Sequence, residues 1–317
     1  MIALNATRIQ HFVLICFPSM QSWQHWLSIP LALLFIVAFV ANVVILAVIQ
    51  RERRLHKPMF YFLCILSVSD LVLCTATSPT ILGILCFNVK VIDLPGCFTQ
   101  MYIMNCFMLF ESGTFLFMAY DRYIAICNPL RYPSMITSTF VAKSLMFIIL
   151  RSTVVALPVP FTAARLDYCA RSVVEHCLCA NVPVTALACD DRTINTVYQL
   201  VLGWSMLGSD LILIGVSYCI VLRAVRKLHA EGSAAKSLST CTSHLILISF
   251  FYTVLLFLIF TNKFEKDIPP DVTIMLNVLH YLVPPALNPI VYGVRTKEIK
   301  QGIVRLVVQG TTNFKAK

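Results

Sequence analysis

The sequence predicts an all-α membrane protein: a seven-transmembrane helix bundle followed by a short amphipathic eighth helix. Three observations carry this prediction, namely the composition, seven long apolar runs, and an uneven distribution of lysine and arginine. Of the 317 residues, 58% are hydrophobic and 13% are charged. Soluble domains carry roughly 45–50% apolar and about 25% charged residues. The chain therefore has too much apolar surface for water, and lipid is its expected solvent.

The apolar residues form runs that match the thickness of a bilayer. A helix needs roughly 20 apolar residues to cross the hydrocarbon core. The runs are continuous rather than alternating, which favours helices over barrel strands. The first and the sixth contain no charged residue. In chain order, the predicted spans are Leu27–Ile49, Pro58–Leu85, Cys97–Ala119, Phe140–Thr162, Val197–Leu222, Leu245–Thr261 and Val272–Tyr292.

The basic residues predict the orientation of these spans. Seventeen of the 25 lysines and arginines lie on the face that carries the C-terminus, and seven lie on the opposite face. Positive loops stay in the cytoplasm, so we expect an extracellular segment 1–26, a bundle 27–293 and a cytoplasmic tail 294–317 in the plasma membrane. The net charge of +10 then reflects topology and lipid headgroup contact, not nucleic-acid binding.

The predicted outer N-terminus carries one modification signal. Asn5-Ala6-Thr7 is an N-glycosylation sequon, and it lies on the side of the membrane where such sequons are modified. The apolar run before the first span is short and lacks a small-residue cleavage site. We therefore expect the first span to act as an uncleaved signal anchor.

Cysteines cluster on the predicted outer face. Cys97 opens the third span, and the loop between the fourth and fifth spans holds Cys169, Cys177, Cys179 and Cys189. This face is oxidising, so bridges are expected there. The sequence alone does not fix which cysteines pair. A bridge from Cys97 to the loop would hold the loop over the mouth of the bundle.

Four charged residues sit near the middle of predicted spans: Asp70, Glu111, Arg151 and Asp210. Charges in lipid are costly, which makes such residues functional candidates. Asp70 and Glu111, with Asn288 and Ser67, would form an oxygen-rich site. It suits either a sodium ion that favours the resting state or a protonated carboxylic acid bonded to its neighbours; beyond such an ion, no cofactor is expected. For Arg151 and Asp210, internal hydrogen bonding is the favoured interpretation.

Residues 118–127 read Met-Ala-Tyr-Asp-Arg-Tyr-Ile-Ala-Ile-Cys. An acid–arginine pair at a cytoplasmic helix end is suited to a switch, paired at rest and released for a partner when active. In isolation, Asp121-Arg122 would equally be a surface ion pair of little worth. Taken as a whole, however, the ten-residue segment resembles the signature of the odorant receptors within the rhodopsin-like G-protein-coupled family.

Three further segments resemble odorant-receptor motifs in order and spacing: Pro58–Leu63, Lys236–His244 and Pro284–Tyr292. Ser217-Tyr218 in the fifth span also fits. Departures are small, with Phe60 where tyrosine is usual and Ala41-Asn42 in place of the common Gly-Asn. The resemblance covers nearly the whole chain. Residues 128–132, Asn-Pro-Leu-Arg-Tyr, are similar to the class I, or fish-like, branch.

The resemblance implies a set of roles. It implies the bridges Cys97–Cys179 and Cys169–Cys189, and these two bridges leave Cys177 without an assigned partner. It implies that the stimulatory heterotrimeric G protein is the transducer and that cyclic AMP rises. Pro289 is a hinge candidate because proline interrupts helix hydrogen bonds. The helix after Tyr292 has the apolar spacing of one that lies on the inner leaflet. The switch set is Asp121, Arg122, Tyr123, Tyr218 and Tyr292.

Ligands of such receptors lie among the outer halves of the third, fifth, sixth and seventh spans. Methionines adapt to varied shapes, and an apolar pocket with few polar groups suits a small odorant with one oxygen function. Asn105 would supply a hydrogen bond. Lys263 would either extend outward to the interface or attract an acid. The predicted ligand-binding residues are Met101, Met104, Asn105, Met108, Leu109, Leu202, Met206, Leu255, Leu256, Ile259 and Lys263.

Other functions have less support. There is no His-Glu-x-x-His, Gly-x-Ser-x-Gly or phosphate-binding glycine loop, so the chain is not expected to be an enzyme. A transporter would show internal repeats and paired broken helices, and we find no similarity between its halves. A non-olfactory rhodopsin-like receptor for a small metabolite is the main alternative.

Overall fold

The computed structural model of the protein describes residues 9–169, 171–229, 235–263 and 268–315. Helices occupy each predicted span, and this confirms the predicted fold class. The sixth span lies in the helix Ala235–Lys263, whose apolar part His244–Leu258 is the shortest. Six other helical segments in this part of the chain are long and apolar enough to cross a membrane: Pro18–Arg51, Pro58–Phe87, Leu94–Cys127, Ser138–Ala164, Thr193–Arg226 and Pro270–Arg295.

The first three spans are helices α1 (Gln24–Arg51), α2 (Pro58–Phe87) and α3 (Leu94–Cys127). At the start of α3, the Asp93 carboxylate accepts a hydrogen bond from the Gly96 backbone N–H, which caps the helix. The helix continues about two turns past the predicted end at Ala119. Backbone hydrogen bonds do not require apolar side chains, so the helix continues through the charged residues at the lipid–water boundary.

The fourth span is divided by a proline. A short helix, α4 (Tyr132–Met135), precedes α5 (Ser138–Ala156), and α6 (Pro158–Ala164) completes the span. The interruption falls before Pro158, which has no N–H to continue the hydrogen-bond ladder.

The remaining helices complete the bundle. After α7 (Asn181–Thr185), the fifth span comprises α8 (Thr193–Leu202), one π-helical turn at Gly203–Leu207, and α9 (Gly208–His229). The sixth is α10 (Ala235–Lys263). The seventh, α11 (Pro270–Arg295), continues through Pro284, Pro285 and Pro289 as one helix. The amphipathic α12 (Lys297–Lys315) follows.

Helix packing places the third span at the centre of the bundle. It contacts the second, fourth, fifth and sixth spans, while the first packs against the second and seventh. Large side chains such as Phe62, Phe115 and Phe251 are almost fully buried between the helices. In contrast, Leu33 and Ile212 are 58% and 67% exposed. Apolar side chains over so much of the outer surface are typical of contact with lipid.

An outer cap covers one end of the bundle; we define it as residues 11–17, 91–97, 166–169 and 171–189. Strand β1 (His11–Leu14) lies between β2 (Val91–Asp93) and β3 (Val173–Val174), antiparallel to the former and parallel to the latter. The Phe12 ring is fully buried and packs edge-to-face on Tyr168, with ring centroids 5.2 Å apart. The N-terminal segment is thus built into the cap.

At the opposite end, α12 packs against the end of the first span. Ile299 is fully buried. A Cβ on Gly302 would lie 2.5 Å from a Val48 methyl carbon, so glycine is needed for this close approach. The Arg305 guanidinium lies 3.0 Å from the Glu52 carboxylate.

Candidate functional site

Disulfides close the outer end of the candidate site. Cys97 at the start of α3 is bridged to Cys179, and Cys169 is bridged to Cys189. These are the two pairs that the resemblance implies. The first of them joins the loop between the fourth and fifth spans to the central helix, so the loop lies over the mouth of the bundle.

A third bridge corrects an expectation. The sequence interpretation assigned no partner to Cys177, but the structure joins Cys177 to Cys16. Sequence reasoning missed this pair because β1 brings Cys16 beside the loop, and pairing across the chain cannot be read from spacing. The N-terminal segment is therefore covalently joined to the cap.

A buried histidine lies beside these bridges. His176 is 2% exposed, and its Nδ1 lies 3.0 Å from the Leu178 backbone nitrogen, which donates to it. Burial lowers the pKa of His176 to about 4, because the charged ring would lose its water. The ring is thus neutral at physiological pH and fixed inside the cap.

The predicted pocket residues of the third span line the core beneath the cap. Met101, Met104 and Leu109 are at most 1% exposed, whereas Met108 is partly buried. The Asn105 amide nitrogen donates to the Met101 carbonyl at 2.8 Å. These side chains lie on the bundle side of the helix, as their spacing predicts.

The predicted pocket side chains of the fifth and sixth spans differ in how deeply they are buried. Leu202 and Leu255 are buried and Met206 is partly buried. Leu256 is 46% exposed and faces outward, because neighbouring helix residues point about 100° apart. The side chains of Ile259 and Lys263 lie outside the described part of the structure.

A small cavity extends the predicted pocket inward. Its volume is about 10 Å³, and Met108, Glu111, Phe251 and His280 are among the residues that line it. This is close to the least space that a single water needs. A ligand at this position would therefore have to displace side chains, and the spacing of residues in the sequence did not reveal that.

A polar chain crosses the centre of the bundle. The Arg151 guanidinium forms two hydrogen bonds with the Asp210 carboxylate, at 3.0 and 2.6 Å. Ser112 donates to the same carboxylate at 2.7 Å and lies 2.8 Å from the Tyr252 hydroxyl. The expected internal bonding of Arg151 and Asp210 is thus present. Sequence reasoning missed Ser112 and Tyr252, although each is a polar residue in an apolar run.

The second polar group joins the second and seventh spans. The Asn288 amide nitrogen lies 3.2 and 3.0 Å from the two Asp70 carboxylate oxygens. Glu111 is 2% exposed, and one of its carboxylate oxygens has no partner among the described residues. Among the residues that the structure describes, no group of three or more His, Cys, Asp or Glu side chains could hold a metal ion. Any cation here would need amide and hydroxyl oxygens as well.

The end of the bundle opposite the cap carries the acid–arginine pair. The Arg122 guanidinium lies 2.5 Å from the Asp121 carboxylate, and the Tyr132 hydroxyl donates to that carboxylate at 2.9 Å. Burial and the Asp121 charge raise the pKa of Tyr132, so its hydroxyl keeps its proton and remains a donor. The pair is only slightly exposed, so the guanidinium is held and not free for a partner. Sequence reasoning missed Tyr132.

The other switch residues lie close to this pair. Tyr218 and Tyr292 are 3% and 2% exposed. The Tyr292 ring packs edge-to-face on His244 of the sixth span, with ring centroids 5.5 Å apart. Tyr123 is partly buried beside the core. The predicted glycosylation residue Asn5 lies outside the described residues.

Comparison with known proteins assigns this architecture to a family. A family model described as olfactory receptor matches residues 31–310. The chain is 58% identical to human Olfactory receptor 56A4 over 94% of its length and 96% of that protein. It is 41% identical to human Olfactory receptor 52B2 over 92% of its length and 90% of that protein.

A solved structure supports the fold independently. The crystal structure of squid rhodopsin matches with a TM-score of 0.73 at 16% identity, covering 90% of this chain and 80% of that one. At this identity the match concerns the fold alone. The chain is therefore a multi-pass plasma membrane protein and a receptor rather than an enzyme, and it belongs to the olfactory receptor family.

Proposed function

We propose that this receptor binds small volatile odorants between the outer halves of its helices and activates a stimulatory heterotrimeric G protein, which raises cyclic AMP. The observation that carries the proposal is the Asp121–Arg122 pair at the inner end of the third span, in a chain that belongs to the olfactory receptor family. Its similarity to human olfactory receptors supports an odorant as the ligand.

The pair supplies the switch in this proposal. With Asp121 bonded to both Arg122 and Tyr132, the guanidinium is occupied and the receptor is at rest. Outward movement of the inner end of the sixth span would separate His244 from Tyr292 and open a groove for a G-protein helix. Arg122 would then leave Asp121 and bind that helix, with Tyr218 and Tyr292 moving into the vacated space.

The proposed pocket lies around Met108. Because the cavity there is only about 10 Å³, an odorant stabilises conformations in which the neighbouring side chains have moved apart. Binding is thereby coupled to the positions of the helices that carry these side chains. The proposed contacts no longer include Leu256, which faces outward. They are Met101, Met104, Asn105, Met108, Leu109, Leu202, Met206, Leu255, Ile259 and Lys263.

The pocket chemistry favours a small apolar molecule with one oxygen function. On the third span, Asn105 is the predicted polar contact and Glu111 lines the cavity itself. One of the Asn105 amide hydrogens is bonded to Met101. The other hydrogen and the amide oxygen remain for a carbonyl or hydroxyl. Lys263 would either extend to the interface or bind an acid group.

The orientation follows from the basic loops. We infer an extracellular segment 1–26, glycosylated at Asn5, a bundle 27–293 in contact with membrane lipid, and a cytoplasmic segment 294–317. The disulfides of the outer cap support this orientation, since bridges form on the oxidising side of the membrane. The basic residues of the inner loops support it as well.

The Asp70 site is proposed to hold sodium in the resting state. The Asp70 oxygens, the unpartnered Glu111 oxygen and the amide and hydroxyl oxygens of Asn288 and Ser67 suit a hard cation. A protonated Glu111 is the alternative. Titration of the purified receptor with sodium, against potassium as control, should raise its unfolding temperature; no difference between the two salts would favour the protonated acid.

The function is tested by cyclic AMP in cells that display the receptor, challenged with volatile acids, esters, alcohols and ketones. A response is expected that disappears in Arg122→Ala but persists in Arg131→Ala, which removes an exposed arginine of the same face. Silence at confirmed surface display would contradict the proposal and favour a non-olfactory ligand or another G protein.

The pocket is tested separately with any agonist so found. Asn105→Ala and Met108→Ala should each weaken its potency about tenfold, since one lost hydrogen bond or buried apolar contact is worth roughly 1 kcal/mol or more. Leu256→Ala is the matched control and should leave potency unchanged. If all three variants behave alike, the pocket lies elsewhere.

A further inference from the structure

An apolar groove lies outside the bundle, at the end that carries Asp121 and Arg122. It runs between the third, fourth and fifth spans, and its volume is about 460 Å³, which is within the range of small-molecule sites. We call it the inner groove. Six of its lining residues are Leu116, Tyr120, Phe140, Leu213, Val216 and Ile220.

The inner groove opens toward lipid. Leu213 and Val216 are each 54% exposed, although both belong to a span that crosses the membrane. An occupant therefore enters sideways from the bilayer. One wall consists of aromatic rings, with Tyr120 and Phe140 5.7 Å apart between centroids, and the other wall is branched and aliphatic. A flexible hydrocarbon chain packs well against both.

The groove ends at positive charge. On the fifth span, Val216, Ile220 and Arg223 follow helical spacing, so Arg223 continues the same stripe beyond the groove toward the end of the helix. The fourth span begins at this end, so Lys143 lies about one turn deeper in the membrane than Phe140, and a lysine at this depth extends its ammonium back along the helix to the interface. Both side chains are exposed, and neither forms an ion pair with a described residue.

We propose that the inner groove binds one acyl chain of an anionic phospholipid of the cytoplasmic leaflet, with its phosphate at Arg223 and Lys143. That leaflet is rich in anionic lipids, which attract basic residues at the membrane surface. Charge complementarity decides between lipids, because a sterol would fill the apolar part and leave both cations unpaired. The proposal rests on the inferred orientation of the chain and is independent of the odorant.

The bound lipid would lie against the helices that carry the switch. Tyr123 of the acid–arginine segment and Ser217, next to Tyr218, also line the inner groove. Ser217 donates to the Ala119 carbonyl at 3.1 Å, which joins the third and fifth spans at this level. Lipid composition would therefore act on the spacing of these two helices.

The test uses the purified full-length receptor in nanodiscs that contain a trace of phosphatidylserine or phosphatidylcholine with a photoreactive acyl chain. Mass spectrometry then locates the labelled peptides. Phosphatidylserine is expected to label residues 116–123 and 213–223 several-fold more than phosphatidylcholine. Val216→Trp should abolish most of this labelling, whereas Ile212→Trp, which enlarges a neighbouring lipid-facing side chain outside the groove, should not.

The charges are tested in the same assay. Arg223→Gln and Lys143→Gln should each reduce phosphatidylserine labelling about fivefold, as expected for one basic residue at an anionic surface. Arg54→Gln removes an exposed basic residue from the loop between the first and second spans, away from the groove, and should have little effect. Equal labelling by both lipids, displacement by added sterol, or labelling unaffected by Val216→Trp would overturn the proposal. Because no agonist or cyclic AMP is involved, this outcome is separate from that of the receptor assay.

Discussion

Three disulfides and a three-stranded sheet hold the outer cap, whereas the described part of the opposite end of the bundle is held by side-chain contacts. Cys16–Cys177, Cys97–Cys179 and Cys169–Cys189 join the N-terminal segment, the third span and the loop. At the other end, Asp121 is bonded to Arg122 and Tyr132, and Arg305 is paired with Glu52. Covalent bonds persist through conformational change, while these contacts can exchange partners.

This difference indicates where the molecule can move. A cap that is cross-linked to the third span fixes the outer ends of the helices relative to one another. Rearrangement of the pocket is then transmitted along the helices to the end where hydrogen bonds are the main restraint. The polar chain from Arg151 to Tyr252 links the third, fourth, fifth and sixth spans between the two ends.

The largest effect is expected from the bridge that the sequence did not predict. The double substitution Cys16→Ser with Cys177→Ser should destabilise the receptor by roughly 2–5 kcal/mol, the usual cost of removing a native disulfide. The unfolding temperature of the purified receptor and its surface display measure this loss. Replacing both residues avoids a free thiol that would pair incorrectly.

Cys219→Ser is the control for that experiment. Cys219 is an exposed cysteine without a bridge, so its replacement should change neither quantity. An unchanged unfolding temperature in the double variant would mean that the sheet and the buried Phe12 are sufficient to hold the cap.

A smaller effect is expected from acid, again in the cap. His176 is neutral when folded, with a pKa of about 4, against about 6.5 in an unfolded chain. Since the unfolded state binds the proton first, stability is complete above about pH 6.5 and falls as the pH decreases toward 4. The loss is about 1.4 kcal/mol for each pH unit within that window.

This dependence is isolated by comparison with His176→Asn, which keeps an acceptor for the Leu178 N–H but does not titrate. Unfolding temperatures measured at pH 7.5 and pH 5 should fall further in the unmodified receptor than in the variant. Equal decreases would show that other groups cause the acid sensitivity.

At the end opposite the cap, the expected effect is on activity. Tyr132→Phe removes the hydroxyl that donates to Asp121 at 2.9 Å, and a hydrogen bond to a charged group is worth roughly 1.5–3 kcal/mol. With Asp121 less restrained, Arg122 is released more easily, and basal cyclic AMP should rise about threefold to tenfold. Tyr61→Phe removes another hydroxyl from the half of the bundle opposite the cap and should leave the basal level unchanged. A lower basal level in Tyr132→Phe would contradict the resting role of this contact.

The elements that depend on local hydrophobicity could be predicted from the sequence. Apolar runs located all seven spans because a membrane helix must present apolar side chains to lipid. The ends of the third span were predicted less well. Its helix continues from Ala119 to Cys127, past the charges of Asp121 and Arg122 that end the apolar run.

The features that depend on side-chain direction or distant pairing could not be predicted. Leu255 and Leu256 were both assigned to the pocket, yet they point about 100° apart on the helix, and Leu255 is buried whereas Leu256 is 46% exposed. Cys16 is 161 residues from Cys177, and only the strand β1 brings them together. The close contact of Gly302 with Val48 likewise depends on the path of the chain after the seventh span.

The smallest effect is expected from the second ion pair at the end opposite the cap. The Arg305 and Glu52 side chains are 47% and 23% exposed, and solvent screens such a pair so that it is worth at most about 1 kcal/mol. Arg305→Gln should therefore shift the unfolding temperature by only a few degrees, less in high salt than in low salt. If the shift matched that of the cap disulfide, α12 would be held by charge rather than by the buried Ile299 and the contact at Gly302. The end opposite the cap would then be more rigidly restrained than its hydrogen bonds indicate.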